Sequence, residues 1–335
     1  MGKKIMSVLL VVLVFLLAGC QSPVDVMDDQ AMLWEDQYNA LGPTGGKNDS
    51  VLDTLDMMLD QYVSGLKKPL PQDIQQTKLD KDDDDAVDHF QSVDNDCDTV
   101  EEMKQCILAA LTDTKGSVSF YANGTWFNAD VLYDVIFNQI CEEYMIETMG
   151  MQEYSYYYMP ESDTRTAVDL NFKYFQDKYT LDQVKDMKDQ TLAKAKEVIR
   201  DLDLANKSTF EAVELVNQYL CDHCVYPATE PYSCESHSPY GALIEQSAVC
   251  EGYARAAQLI FMLCGIDSYY VVGDTPGGGH AWNLVKVDGL YYQLDVTWND
   301  VDSQPNMYFL VTDDYMSLSR TWDQTKYPAS ANNPY

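Results

Sequence analysis

Positive charge is scarce in this chain. Its 335 residues hold 22 Lys and Arg against 54 Asp and Glu, for a formal net charge of −32. That balance speaks against nucleic acid as a partner, because binding phosphates requires clustered cations that release counterions. It speaks equally against an electrostatic grip on an anionic membrane. A membrane-spanning run is also missing at the N-terminus: the apolar stretch Val8–Ala18 has 11 residues, where a spanning helix needs ~20. There is no internal repeat. The acidic cluster Asp82–Asp85 is not a calcium loop. Counted from Asp80, its sixth and twelfth positions are Asp85 and Gln91, where Gly and Glu are required. The chain does have core-forming material, with 46% apolar residues, and a length that allows one to three domains.

Lys3 and Lys4 precede the apolar run, and Leu17-Ala18-Gly19-Cys20 follows it. This order is that of a signal peptide, and its last four residues resemble the bacterial lipobox. The resemblance implies cleavage before Cys20 and a lipid on its thiol. Residues 1–19 are then a leader whose loss removes two cations and no acid. The mature protein is expected on the outer face of the cytoplasmic membrane or at the cell surface, tethered by lipid.

Residues 20–50, with Gly42-Pro43 and Gly45-Gly46, read as a tether. Residues 51–115 read as an acidic helical region. Its first helix spans Val51–Leu66, and its polar stretch 72–98 is expected to be a disordered linker. Three capping boxes, at Thr99/Glu102, Thr180/Gln183 and Ser208/Glu211, predict helices to about Thr114, Leu202 and Cys221. Asn123-Gly124 predicts a hairpin between 118–122 and 125–127. A helix is expected over 129–149, and strands over Tyr154–Met159 and Thr166–Phe172. Together, 116–218 form a strand-and-helix part, followed by 219–335.

The chemistry lies after Tyr240. Ala254–Cys264 is a strong helix former, stopped by Gly265, and Cys250 sits at its start. Free backbone N–H groups and the positive end of the helix dipole favour a thiolate there, and the same groups can meet a developing oxyanion. Strands are expected at Ser268–Val272, His280–Val287 and Leu290–Thr297, the last two joined by the turn Asp288-Gly289. This register puts Ala281, Asn283, Val285, Val287, Leu290, Tyr292, Leu294 and Val296 on a core face. His280, Trp282, Asp295 and Thr297 share the other. Asp295 then lies diagonal to His280, with backbones roughly 7–8 Å apart. A hydrogen bond between them would fix the imidazole tautomer.

A cysteine at a helix start, a histidine on a facing strand and an aspartate orienting it are the parts of an acyl-transfer triad. The segments Ala248-Val-Cys-Glu-Gly-Tyr-Ala254, His280-Ala-Trp-Asn283 and Leu294-Asp-Val-Thr-Trp298 closely resemble the core of the transglutaminase-like superfamily, especially its bacterial protease-like, cytokinesis-related branch. The resemblance is strong from about Tyr219 and weaker back to about Gly116. It implies an α+β, papain-like core, the nucleophile's helix packed on an antiparallel sheet. It also implies Cys250 as nucleophile, His280 as general base and acid, and Asp295 as its orienter, with no cofactor. Gln246 and Tyr240 are candidates for a side-chain oxyanion donor, and Trp282 and Trp298 for site walls. The expected partner is a protein or peptide substrate, including cell-wall peptides. The triad alone does not separate hydrolysis from cross-linking. An inactive scaffold module at the cell surface is the alternative.

The remaining cysteines include Cys221, Cys224 and Cys234, which with His237 give C-x2-C-x9-C-x2-H. This is a zinc-like spacing, set against disulfides or unpaired thiols in a chain placed outside the cytosol. No metal is assigned to it.

Overall fold

The computed structural model describes residues 75–79, 90, 93, 95–228, 232–301 and 305–335. The leader, Cys20, the tether and the helix expected at Val51–Leu66 lie outside the described residues. The fold is a mixture of helices and sheets, as expected.

The first layer is a five-stranded sheet of β1 (Gln75–Lys78), β2 (Asn95–Cys97), β3 (Ser117–Asn123), β4 (Met151–Ser162) and β5 (Arg165–Tyr174), in the order β1-β4-β5-β3-β2. β4 and β5 form an antiparallel hairpin with β3 antiparallel beside it, and β1 and β2 add as parallel edges. Both edge strands fall inside the stretch expected to be a disordered linker. They gain order by pairing with backbone that β3 and β4 leave open, a non-local contact that local composition does not reveal. The hairpin expected at Asn123-Gly124 does not form. The Trp126 indole donates back to Asn123 O at 2.9 Å and Asp98 O at 3.1 Å, turning the chain away, and β3 pairs with β5 instead.

Helix α1 (Val100–Thr112) and an irregular helix pack on this sheet. The irregular helix starts as α2 (Ala129–Tyr133), widens into π turns over Asp134–Ile140 and ends in one α turn at Cys141–Glu143, short of the expected 149. The tyrosine-rich strand is structural on its inner face: Tyr154 and Tyr156 are buried in this core.

The second layer holds α3 (Leu181–Asp201), α4 (Thr209–His223) and α5 (Cys250–Leu263) against an antiparallel sheet of β6 (Ser268–Thr275), β7 (Gly278–Val287) and β8 (Leu290–Leu294). All three capping boxes are formed. The Asp288-Gly289 turn sets Val287 opposite Leu290, as the sequence predicts. Ala281, Val285, Val287, Tyr292, Leu294 and Val296 join the helices in one core. Each buried aliphatic or aromatic side chain there contributes about 1.5–3 kcal/mol.

Two features of this layer differ from the sequence expectation. The strand expected over Leu290–Thr297 ends at Leu294, and Val296–Asn299 turns into the short helix α6. The other face of β7 is not open: Val271, Trp282, Leu284, Trp298, Tyr308 and Met316 build a second core over it. Its cover is the C-terminal strap, which includes α7 (Asp313–Met316) and pairs Thr321 with Asp274 at the edge of β6. The strap comes this close because position 273 is glycine. A Cβ there would lie 2.3 Å from Thr321 O.

Candidate active site

Cys250 is the first residue of α5, and Val249 before it supplies no side-chain cap. The first N–H groups of a helix have no partner within it, so they face whatever approaches the thiol. The helix start is held in place by backbone. Val249 N donates to Ser236 O at 3.1 Å, and Ala248 N to Val225 O at 3.1 Å. Gly252 lets this segment lie against the helix, since a Cβ would sit 2.4 Å from Ser236 O. Cys250 is half-buried.

The His280-Ala-Trp-Asn283 segment divides its work by residue. Ala281 is small and packs in the core shared with α5. Asn283 ties β7 to the nucleophile's helix, its Nδ2 donating to Ala254 O at 3.1 Å and Gln258 Oε1 at 3.2 Å. Trp282 lies nearly parallel to the His280 ring at 5.8 Å and donates from Nε1 to Gln293 Oε1 at 2.6 Å. Trp298 presents an edge-on contact to His280 at 6.3 Å.

His280 and Asp295 meet as expected, by a route the strand register did not foresee. Asp295 has left the sheet and caps α6, its Oδ1 accepting from Trp298 N at 3.2 Å. Its own N–H donates to Tyr308 O at 3.0 Å. With the backbone pinned twice, Oδ2 accepts from His280 Nε2 at 2.6 Å. A carboxylate only accepts, so Nε2 carries the proton and Nδ1 remains the nitrogen available to Cys250.

Burial disfavours a charged ring at His280. The Asp295 carboxylate and the Cys250 thiol facing it outweigh that and raise its pKa to about 9. Burial also works against the Asp295 carboxylate, but His280 and Arg320 hold its pKa below the usual carboxylate range. The buried phenol of Tyr270, on β6, lies in the field of Glu251, Arg255 and Cys250. Burial and the Glu251 charge keep it protonated.

Arg320 is the residue that sequence reasoning missed. It comes from the C-terminal strap, with its side chain fully buried, and sends Nε at 3.1 Å and Nη2 at 2.7 Å to the same Asp295 Oδ2. Its guanidinium lies 3.8 Å from the Tyr308 ring centre and 4.8 Å from that of Trp298. Nothing in the local sequence marks this arginine. It lies 25 residues from Asp295, on a stretch without regular periodicity.

The other candidates have different places. Gln246 is exposed in a left-handed conformation after the π turn Gly241–Glu245, where its carbonyl accepts from Val225 N at 3.0 Å. Tyr240 packs toward the core of the first layer. The zinc-like set is dispersed among other partners. Cys221 faces Val296 O, Cys224 faces Val225 O, Cys234 contacts Glu235, and His237 Nδ1 meets Glu251 Oε2 at 3.1 Å. Among the described residues no group of His, Cys, Asp and Glu is arranged to hold a metal, and Cys221, Cys224 and Cys234 are outside any disulfide.

Residues 196–302 match the Transglutaminase-like superfamily. The chain carries a transglutaminase-like domain. Among curated proteins it is similar to the kyphoscoliosis peptidase of Mus musculus, 25% identical over 163 residues, or 40% of this chain and 25% of that protein. The Homo sapiens kyphoscoliosis peptidase is 26% identical over 172 residues, covering 42% of this chain and 26% of that one. The chain thus spans about a quarter of the length of these curated relatives. A solved structure described as that of a TGase aligns over 66% of this chain and 59% of its own, at 15% identity and a TM-score of 0.29. The transglutaminase-like match ends before Arg320.

Proposed function

We propose that this transglutaminase-like protein is a thiol enzyme that transfers acyl groups from amide bonds of proteins or peptides. The observation that carries this reading is the buried His280–Asp295 pair beside a half-buried cysteine at an uncapped helix start. His280 takes the proton from Cys250 Sγ, and the sulfur attacks the amide carbon. The first N–H groups of α5 meet the oxyanion. His280 then returns its proton to the leaving amine as the C–N bond breaks, leaving an acyl-thioester. Water or a second amine gives a proton to His280 and attacks the thioester, and the thiolate recovers its proton on release. Water as acceptor makes the reaction a hydrolysis, an amine makes it a cross-link. The kyphoscoliosis peptidases are named for the first outcome.

The lipobox-like Leu17–Cys20 supports a site of action at the outer face of a membrane, where wall peptides and surface proteins are the amide-bearing substrates. Iodoacetamide labelling followed by peptide mass analysis tests the nucleophile: Cys250 is modified faster than the other thiols, and Cys250→Ala abolishes turnover. Release of peptide or ammonia against incorporation of a labelled amine then separates hydrolysis from cross-linking. A Cys250 no more reactive than Cys264, or turnover that survives Cys250→Ala, would leave a binding module instead.

A further inference from the structure

Three groups converge on one buried oxygen. Asp295 Oδ2 accepts from His280 Nε2 and from both Nε and Nη2 of Arg320, and the side chains of Asp295 and Arg320 are fully enclosed. The arginine is built into place. Its N–H donates to Met316 O at 2.9 Å, its Nη1 to Ser319 Oγ at 2.7 Å, and the next residue pairs with Asp274 across Gly273. Its plane is enclosed by the rings of Tyr308 and Trp298. Such a cation is costly to bury unless a charge balances it.

We propose that Arg320 is a positioning residue for the acyl transfer set out above, on which this inference rests. It shares the Asp295 charge with His280, so that the carboxylate holds the imidazole proton less tightly than it would alone and the proton exchanged with Cys250 is released at lower pH. With Arg320 present, the buried carboxylate is balanced while the imidazole is neutral. The imidazole can then become charged when the thiol becomes thiolate, with no net charge added to the site. Without Arg320 the carboxylate is balanced only by a protonated His280, which then keeps its proton to a higher pH. The titratable and charged groups that face this constellation are Cys250 from α5, Tyr308 and Tyr315 from the strap side, and beyond the thiol Tyr270, Glu251 and Arg255. None of them can replace the cation on Oδ2. Arg320 itself also fixes which oxygen of Asp295 His280 meets, because two N–H groups in a fixed plane hold one oxygen.

The test is the rate of Cys250 alkylation by iodoacetamide against pH in the full chain. Wild type, Arg320→Met, Arg320→Gln and Arg320→Lys are compared, with Cys250→Ala as blank and thermal unfolding recorded for each. Removing a buried cation makes protons on the site harder to lose. The rising limb in the Met and Gln variants therefore moves up by about one pH unit, making alkylation about tenfold slower below the limb. Lys keeps the charge and loses the planar fork, so its limb stays in place while its rate falls a few-fold. Folded Met or Gln variants with the wild-type limb overturn the proposal, as does a parallel drop at every pH, which is the signature of a structural role alone. Should Met fail to fold, Gln, which keeps donors without the charge, carries the same expectation. If wild-type Cys250 is no more reactive than the other thiols, the enzyme reading itself fails, an outcome visible before any Arg320 variant is made.

Discussion

Two histidine–carboxylate–arginine sets flank the nucleophile. His280, Asp295 and Arg320 lie inside, with side-chain exposures of 6%, 0% and 0%. His237, Glu251 and Arg255 lie outside, at 41%, 35% and 15%. The bond lengths are similar: Glu251 Oε2 meets His237 Nδ1 at 3.1 Å and its Oε1 meets Arg255 Nε at 2.9 Å. Solvent makes the difference. Water reaches the His237–Glu251 contact of the outer set, so that contact is worth at most about 1 kcal/mol. In the inner set the carboxylate is orphaned unless its partners stay, so it can govern a proton. Chemistry follows burial here more than residue type.

Substitutions at Asp295 break this comparison most sharply. Asp295→Ala leaves Arg320 buried without its counter-charge, and chemical denaturation is expected to read a loss of about 3–5 kcal/mol. A smaller effect appears on changing pH. His280 has its folded pKa raised to about 9, above the ordinary imidazole value of about 6.5. Its stabilising contribution is full below about 6.5 and fades as pH rises through about 9, by at most about 3 kcal/mol. The difference between wild-type and His280→Gln stability curves isolates it, and a flat difference across that window would refute the shift. Asp295→Asn keeps the shape but can offer the ring an amide donor in the wrong tautomer. Cys250 alkylation near neutral pH should then slow by about 100-fold. The outer set gives the smallest change: His237→Asn should cost under about 1 kcal/mol and leave the alkylation limb in place. A loss as large as that of Asp295→Ala would mean the outer set is functional too.

Much of the site was legible because its chemistry and its local structure coincide. Cys250 stands at a helix start that the following residues make inevitable, and a two-residue turn fixes the register of β7 and β8. Asp295 was placed correctly beside His280, although the reasoning used a strand that ends at Leu294. The aspartate reaches the histidine as a helix cap, a role that suits its side chain equally well. Gln246 and Tyr240 were named for nearness in sequence, and the fold gives one to an exposed turn and the other to a different core. The edge strands β1 and β2 were hidden, since an edge strand is stabilised by its neighbour's backbone and its own acidic sequence looked unstructured.

By itself the sequence determined the capped helices, the tight hairpin of β7 and β8, the helix-start cysteine and the histidine–aspartate pairing, because all of these depend on neighbours a few to fifteen residues apart. Only the tertiary structure decided that the far face of β7 is closed, that Cys221, Cys224, Cys234 and His237 go to separate partners, and that Arg320 sits on Asp295. Those outcomes depend on a C-terminal strap crossing Gly273 and on burial, and dielectric environment is a property of the packed molecule that no local pattern encodes.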